Sequence, residues 1–158
     1  MIFPHSPIDL VIFDFDGTLV DTAPDLIRAT NLYLESKGLE ALSHERIRSE
    51  IGLGLRKLIV ELYPGENKDD HFRRQIEGEF LAIYEREFLT SPRLFPGVMT
   101  FLQHWDKAVA IVSNKRVRYI RPILEKLEIL HHPWTAIIGG DTFQNMKPHP
   151  EPLLAAIN

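Results

Sequence analysis

The 158-residue chain contains no cysteine, which excludes disulfide staples and thiolate catalysis and suits a reducing compartment. No apolar run approaches the roughly 18 residues that a membrane-spanning helix needs, and no basic region leads into a long apolar segment at the amino terminus. Basic residues are not in excess either. Lys and Arg number 18 against 22 Asp and Glu, and the net charge of -4 offers no electrostatic reason to expect nucleic-acid binding. Internal repeats and low-complexity tracts are missing. A cytoplasmic protein without a membrane partner is therefore expected, and composition leaves its oligomeric state open. Apolar residues make up 44% of the chain, enough for a packed core; the length suits one average domain, or a small core carrying an insertion.

The run Leu10 to Phe13 is short, continuous and apolar, the pattern of a strand covered on both faces in a parallel sheet. It leads straight into Asp14-Phe15-Asp16-Gly17-Thr18. Two residues apart in extended geometry, Asp14 and Asp16 lean to the same side beyond the strand's carboxyl end, while Gly17 lets the backbone turn sharply and approach a ligand. Two adjacent carboxylates repel, so the pair favours a bound cation or a shared proton.

From Asp21 the pattern turns helical. Leu26, Ala29, Thr30, Tyr33 and Leu34 recur at helical spacing and Gly38 supplies a stop. Ser43 is placed to cap a second helix running to Ile51, Leu55 to Tyr63 reads as a third ended by Pro64-Gly65, and Asp69 to Phe88 as a longer fourth with Phe72, Ile76, Phe80, Ile83 and Tyr84 on one face. Ser91 to Gly97, stiffened by two prolines, marks a boundary. Alternation then resumes: strand at Ala108 to Val112, helix at Arg116 to Leu127, strand at Ala136 to Ile138, helix at Glu151 to Ile157. That order implies an α/β, doubly wound parallel sheet with an all-helical insertion after its first strand: core at 1–20 and 94–158, helical domain at 21–93.

Two further clusters sit at ends of this pattern. Ser113-Asn114-Lys115 follows an apolar strand, where a small hydroxyl and the free amides of the next helix suit a phosphate. Lys147-Pro148-His149-Pro150 precedes the last helix, and a lysine there can offset negative charge that builds in a reaction. Each reads equally as ordinary turn or helix-start chemistry when taken alone.

Taken together and in this order, the three clusters resemble the motifs of the haloacid dehalogenase superfamily of phosphotransferases. The resemblance implies a Rossmann-like core with a helical cap and assigns roles. Asp14 attacks phosphorus and forms a phospho-aspartyl intermediate, and Asp16 protonates the leaving oxygen and then deprotonates water. Mg²⁺ sits against the Asp14 carboxylate and the Asp16 backbone carbonyl. Ser113 and Lys147 hold phosphoryl oxygens, with Thr18 and Asn114 in support. Ile51-Gly52-Leu53-Gly54-Leu55-Arg56 looks like the substrate loop of the phosphoglycolate phosphatase branch, with Gly52 and Arg56 contacting substrate; it also reads as a helix-to-helix turn with a solvated Arg56.

One departure counterweighs the match. The superfamily's fourth motif, an acidic pair completing the Mg²⁺ site, should follow the helix ending near Ile157, and the chain stops at Asn158. Asp14 is then the one assured carboxylate ligand, and Leu10 to Phe13 becomes an apolar edge strand. The expectation is a core incomplete at its carboxyl end, in a truncated form or a part of a longer chain.

The function so implied is Mg²⁺-dependent hydrolysis of a small phosphomonoester, phosphoglycolate first, with N-acetylmuramate 6-phosphate and pyrophosphate as substrates open within the same branch. A phosphosugar mutase shares the nucleophile, but Lys115 leans away from it; a dehalogenase would not use Asp16. A catalytically inactive binding module is the reading if the chain truly ends at Asn158. His131, His132 and His149 lack the spacing of a metal site, Arg116, Arg118 and Arg121 read as the wet face of a helix, and Trp105 and Trp134 as core or rim packing.

Overall fold

The computed structural model describes residues 8–51, 59–63 and 69–158. It divides the chain into two units, one running up to Leu19 and again from Phe95 onward, the other Val20–Leu94.

In the first unit, β1 (Leu10–Phe13) lies beside β4 (Ala108–Val112), and β4 beside β5 (Trp134–Ile138), all parallel, in the order β1-β4-β5. The expected strands are present; β5 begins two residues earlier than its apolar core Ala136 to Ile138, because Trp134 and Thr135 join the ladder beside Val109. β4 is the most deeply set of the three, with Val109 through Val112 buried, as its central place requires. Helix α5 (Val117–Lys126) fully buries Ile120, Ile123 and Leu124. Its arginines at 118 and 121 fall on the opposite face: Ile120, Ile123 and Leu124 recur at helical spacing, and the residues between them turn outward.

Helix α4 (Val98–His104) has no counterpart in the sequence reading. Seven residues are too few for a periodic signal, and Gly97, at φ 88°, both ends the preceding turn and starts the helix. Its Phe101 meets Phe13 of β1 edge-on, ring centroids 5.4 Å apart, and stacks on Trp105 at 5.2 Å. Trp105 and Trp134 are half-buried packing residues with their indole N–H groups given to Ala108 and Ile129 carbonyls. Helix α6 (Glu151–Ile157) closes the unit, with Pro152 buried and Leu153, Leu154 and Ile157 exposed.

The second unit is helical apart from a two-stranded antiparallel ribbon, β2 (Val20–Asp21) with β3 (Arg93–Leu94), pairs too short to register in a pattern of apolar residues. Asp21 Oδ1 accepts from the Ala23 N–H at the start of α1 (Ala23–Ser36), which stops before Gly38 at φ 67°. Ser43 caps α2 (His44–Glu50) by accepting from Arg46 N–H at 3.1 Å, as the sequence predicts. Asp69 does the same for α3 (Asp70–Glu87) through Phe72 N–H at 2.8 Å. On α3, Ile76, Phe80 and Tyr84 are buried and Phe72 and Ile83 half-buried, the apolar stripe read from the sequence. Tyr33 of α1 packs edge-on against Phe80 and shares its hydroxyl with Tyr63 at 2.7 Å. Residues 59–61 are helical and Leu62 and Tyr63 leave the helix, two residues before the expected end; the first part of the expected third helix, Gly52, and the Pro64-Gly65 stop lie outside the described residues.

A buried acid ties this unit together. Asp25, with no exposed surface, accepts from Ser91 N–H through both carboxylate oxygens (2.9 and 3.1 Å) and from Arg28 Nη2 at 2.8 Å. Arg28 in turn bonds Glu87, which holds the guanidinium firmly in its charged form.

Candidate active site

Three loops of the first unit meet at the carboxyl ends of its parallel strands. β1 pairs with β4 so that Phe13 stands beside Ile111; Asp14 therefore leaves its strand one step short of Ser113. Asp14 is 44% exposed at its side chain, and its Oδ1 accepts from Phe15 N–H at 2.7 Å, which fixes the carboxylate at the mouth of the turn. Gly17 makes that turn at φ 81°, and Leu19 N–H closes it on Phe15 carbonyl at 3.1 Å. Thr18 sits exposed on the same turn.

The second loop continues the sheet. Ser113 N–H donates to Ile138 carbonyl at 2.9 Å, and the Ser113 hydroxyl, almost wholly buried, accepts from Lys115 N–H at 3.2 Å. Gly139 and Gly140 let the loop after β5 press directly against it, with Gly140 N–H on Lys115 carbonyl at 2.9 Å. A methyl group at Gly140 would fall 2.3 Å from the Asn114 carbonyl oxygen, and one at Gly139 would fall 2.6 Å from that of Lys115. Glycine is required at both positions by this approach, not by backbone conformation.

The third loop is drawn in by Asn114, whose Nδ2 donates to Lys147 carbonyl at 3.1 Å. Its Oδ1 is buried and has no hydrogen-bond partner among the described residues. The expected substrate contact thus acts first as a strut that delivers Lys147, and Lys147 Nζ reaches Asp14 Oδ1 at 2.9 Å. Lys115 Nζ meets Asp16 at 3.1 and 3.4 Å from its two oxygens.

Each of the two neighbouring carboxylates thus faces a lysine, Asp14 with Lys147 and Asp16 with Lys115. Lys147 stands out in the sequence from its place before the last helix. The contact between Lys115 and Asp16, 99 residues apart, does not; no local signal announces a partner at that separation. Asp141 Oδ1 accepts from Val117 N–H at the start of α5. His149 Nδ1 accepts from Glu151 N–H at the start of α6.

Among the described residues no three His, Asp or Glu side chains converge as a ready metal cage. A hard cation that retains waters and takes oxygens from a bound phosphate needs only one or two carboxylates, and the exposed Asp14 carboxylate meets that requirement.

The family model described as haloacid dehalogenase-like hydrolase matches residues 11–158. The chain is 34% identical over 155 residues to a phosphoglycolate phosphatase of Nitrosococcus oceani, covering 94% of this chain and 68% of that protein. It is 35% identical over 149 residues to an N-acetylmuramic acid 6-phosphate phosphatase of Pseudomonas putida, covering 92% and 66%. The crystal structure of a predicted phosphoglycolate phosphatase from Haemophilus somnus superposes with a TM-score of 0.83 at 27% identity, over 96% of this chain and 71% of that one. Sequence motifs, fold and relatives agree: the chain belongs to the haloacid dehalogenase-like hydrolases.

Proposed function

We propose that this chain is the catalytic machinery of a Mg²⁺-dependent phosphatase acting in the cytoplasm on a small phosphorylated acid, phosphoglycolate first. The observation that carries the reading is the Lys147–Asp14 contact of 2.9 Å, an exposed nucleophile candidate held beside a cation at the mouth of the strands. Relatives named for phosphoglycolate and for N-acetylmuramic acid 6-phosphate support the substrate class, and the former name recurs among them.

In this reading an Asp14 oxygen attacks phosphorus as the bond to the leaving oxygen breaks, and that oxygen takes a proton from the Asp16 carboxyl. Asp16 then removes a proton from water, whose oxygen attacks phosphorus, and the bond to Asp14 breaks to return the free carboxylate and inorganic phosphate. Lys147 bonds a phosphoryl oxygen throughout and offsets its growing charge. Ser113, whose lone pair is engaged by Lys115 N–H, directs its own proton to another, with Thr18 in support.

With the Asp16 carboxyl protonated for its first step, Asp14, Lys115 and Lys147 sum to +1, one charge short of a phosphate dianion entering among them, which calls for further positive charge. Asp14, with the Asp16 main-chain carbonyl, would hold Mg²⁺, which supplies that charge and polarises the phosphoryl group. Gly52 and Arg56, expected from the sequence to contact substrate, lie outside the described residues.

The test is phosphate release from phosphoglycolate by the parent and by Asp14→Asn, with Mg²⁺ and with EDTA. Release that needs Mg²⁺ and vanishes in Asp14→Asn is expected; equal turnover by the variant and the parent sinks the mechanism.

A further inference from the structure

We propose that Lys115 is a positioning residue that aims the protonated Asp16 carboxyl group at the leaving oxygen, so that this one ammonium sets how well the enzyme expels a poor leaving group. The proposal rests on the phosphatase reading above and adds to it a residue whose role that reading leaves open.

The two lysines of the site are placed differently. Lys147 is 22% exposed and its partner Asp14 44%, an arrangement open to an incoming phosphate. Lys115 is 6% exposed and Asp16 14%, and the Lys115 ammonium lies within 3.4 Å of both oxygens of that carboxylate. A lysine is rarely buried so deeply unless it is paired. The contact with Asp16 is made inside the site, at a less exposed pair than Lys147 and Asp14.

The base from which this side chain extends is also held. Lys115 N–H is given to the Ser113 hydroxyl and its carbonyl accepts from Gly140 N–H, while the backbone of Gly139 lies too close for even a methyl group between them. Asp16, by contrast, stands beyond the end of β1 next to the turn at Gly17. Direction is thus imposed on the acid from the second strand, across 99 residues of sequence. Since an error of about 1 Å in a reacting group can cost on the order of 10²-fold in rate, an anchored ammonium at this contact is worth having.

The experiment compares kcat/KM for phosphoglycolate, whose alkoxide must be protonated, with kcat/KM for p-nitrophenyl phosphate, whose phenolate departs without help. This parameter ends at the first irreversible step and so reads expulsion of the alcohol and not the later attack of water. For Lys115→Met the loss on phosphoglycolate should exceed that on the aryl ester by roughly 10- to 100-fold, part of the 10² to 10⁴ that general acid catalysis supplies. Asp16→Asn should show the same bias, and the double variant should be no worse than Asp16→Asn alone. Lys115→Gln carries the same expectation if the methionine variant does not fold. Equal losses on both esters, or losses that add in the double variant, overturn the role of Lys115 while Asp14→Asn remains inactive and the parent active. A parent that hydrolyses neither ester removes the phosphatase reading, and this role with it.

Discussion

Gly140→Ala tests the packing of the site more sharply than removal of any charged group. Its new methyl would stand 2.3 Å from the Asn114 carbonyl oxygen, 2.9 Å from the carbonyl carbon and 3.1 Å from Met146 Sδ. The methionine end can swing away; the backbone atoms cannot. Restoring ordinary contact means opening the two loops by about 1 Å. Overpacking of this kind costs about 1–3 kcal/mol, which for a chain of this size lowers Tm by roughly 2–12 °C. The displacement is carried to both site lysines, because the moved segment includes Lys115, whose carbonyl accepts from Gly140 N–H, and Asn114, whose amide holds Lys147. Activity should therefore fall by about 10²-fold, beyond what the lost stability explains at a temperature where the variant remains folded. Differential scanning calorimetry and initial rates of phosphate release from phosphoglycolate, measured on the same preparation, read the two effects separately. A variant with parental Tm and parental kcat/KM would refute the close approach of the two loops, and with it the route by which Lys115 and Lys147 reach the aspartates.

Gly78→Ala should act in the opposite direction: this glycine lies within α3 with nothing inside 4 Å of an added methyl, so stability rises by about 0.5–1 kcal/mol, read as a higher Tm with unchanged turnover. Asp25→Ala strips the Ser91 N–H of its acceptor and Arg28 of a partner; with Arg28 one-third exposed and still bonded to Glu87, the cost should be about 2–3 kcal/mol, and a loss under 1 kcal/mol in urea titration contradicts the assignment. Burial, aided by the neighbouring His131, holds His132 below the ordinary histidine range. The unfolded chain then binds that proton more readily than the folded one, so this residue's contribution to stability is present at neutral pH and fades as pH falls through the ordinary range and below. Between pH 7 and pH 5 the parent should lose more Tm than His132→Gln, and parallel curves would exclude the effect.

Much of the architecture was written locally. Ser43 and Asp69 cap helices because a short polar side chain next to an amide is a local event, and the stripe Ile76, Phe80 and Tyr84 needs only helical spacing to be seen. The strand-to-turn run at Asp14 and the lysine at 147 were legible for the same reason: apolar strand, sharp turn and charge follow one another along the chain. Helix α4 and the β2–β3 ribbon escaped because each is too short to display a period, and each is held by a partner distant in sequence, as Phe101 is by Phe13.

The sequence by itself determined where the polar clusters at Asp14, Ser113 and Lys147 fall relative to the strands and helices, since hydrophobic periodicity and turn residues act over a few positions. Tertiary structure alone decided who meets whom. It assigned Lys147 to Asp14 and Lys115 to Asp16, turned Asn114 into the strut between two loops, and spent Asp141 on the start of a helix. Those choices depend on two backbones meeting at Gly139 and Gly140, and contacts between segments tens of residues apart follow from packing and strand register, which no local pattern encodes.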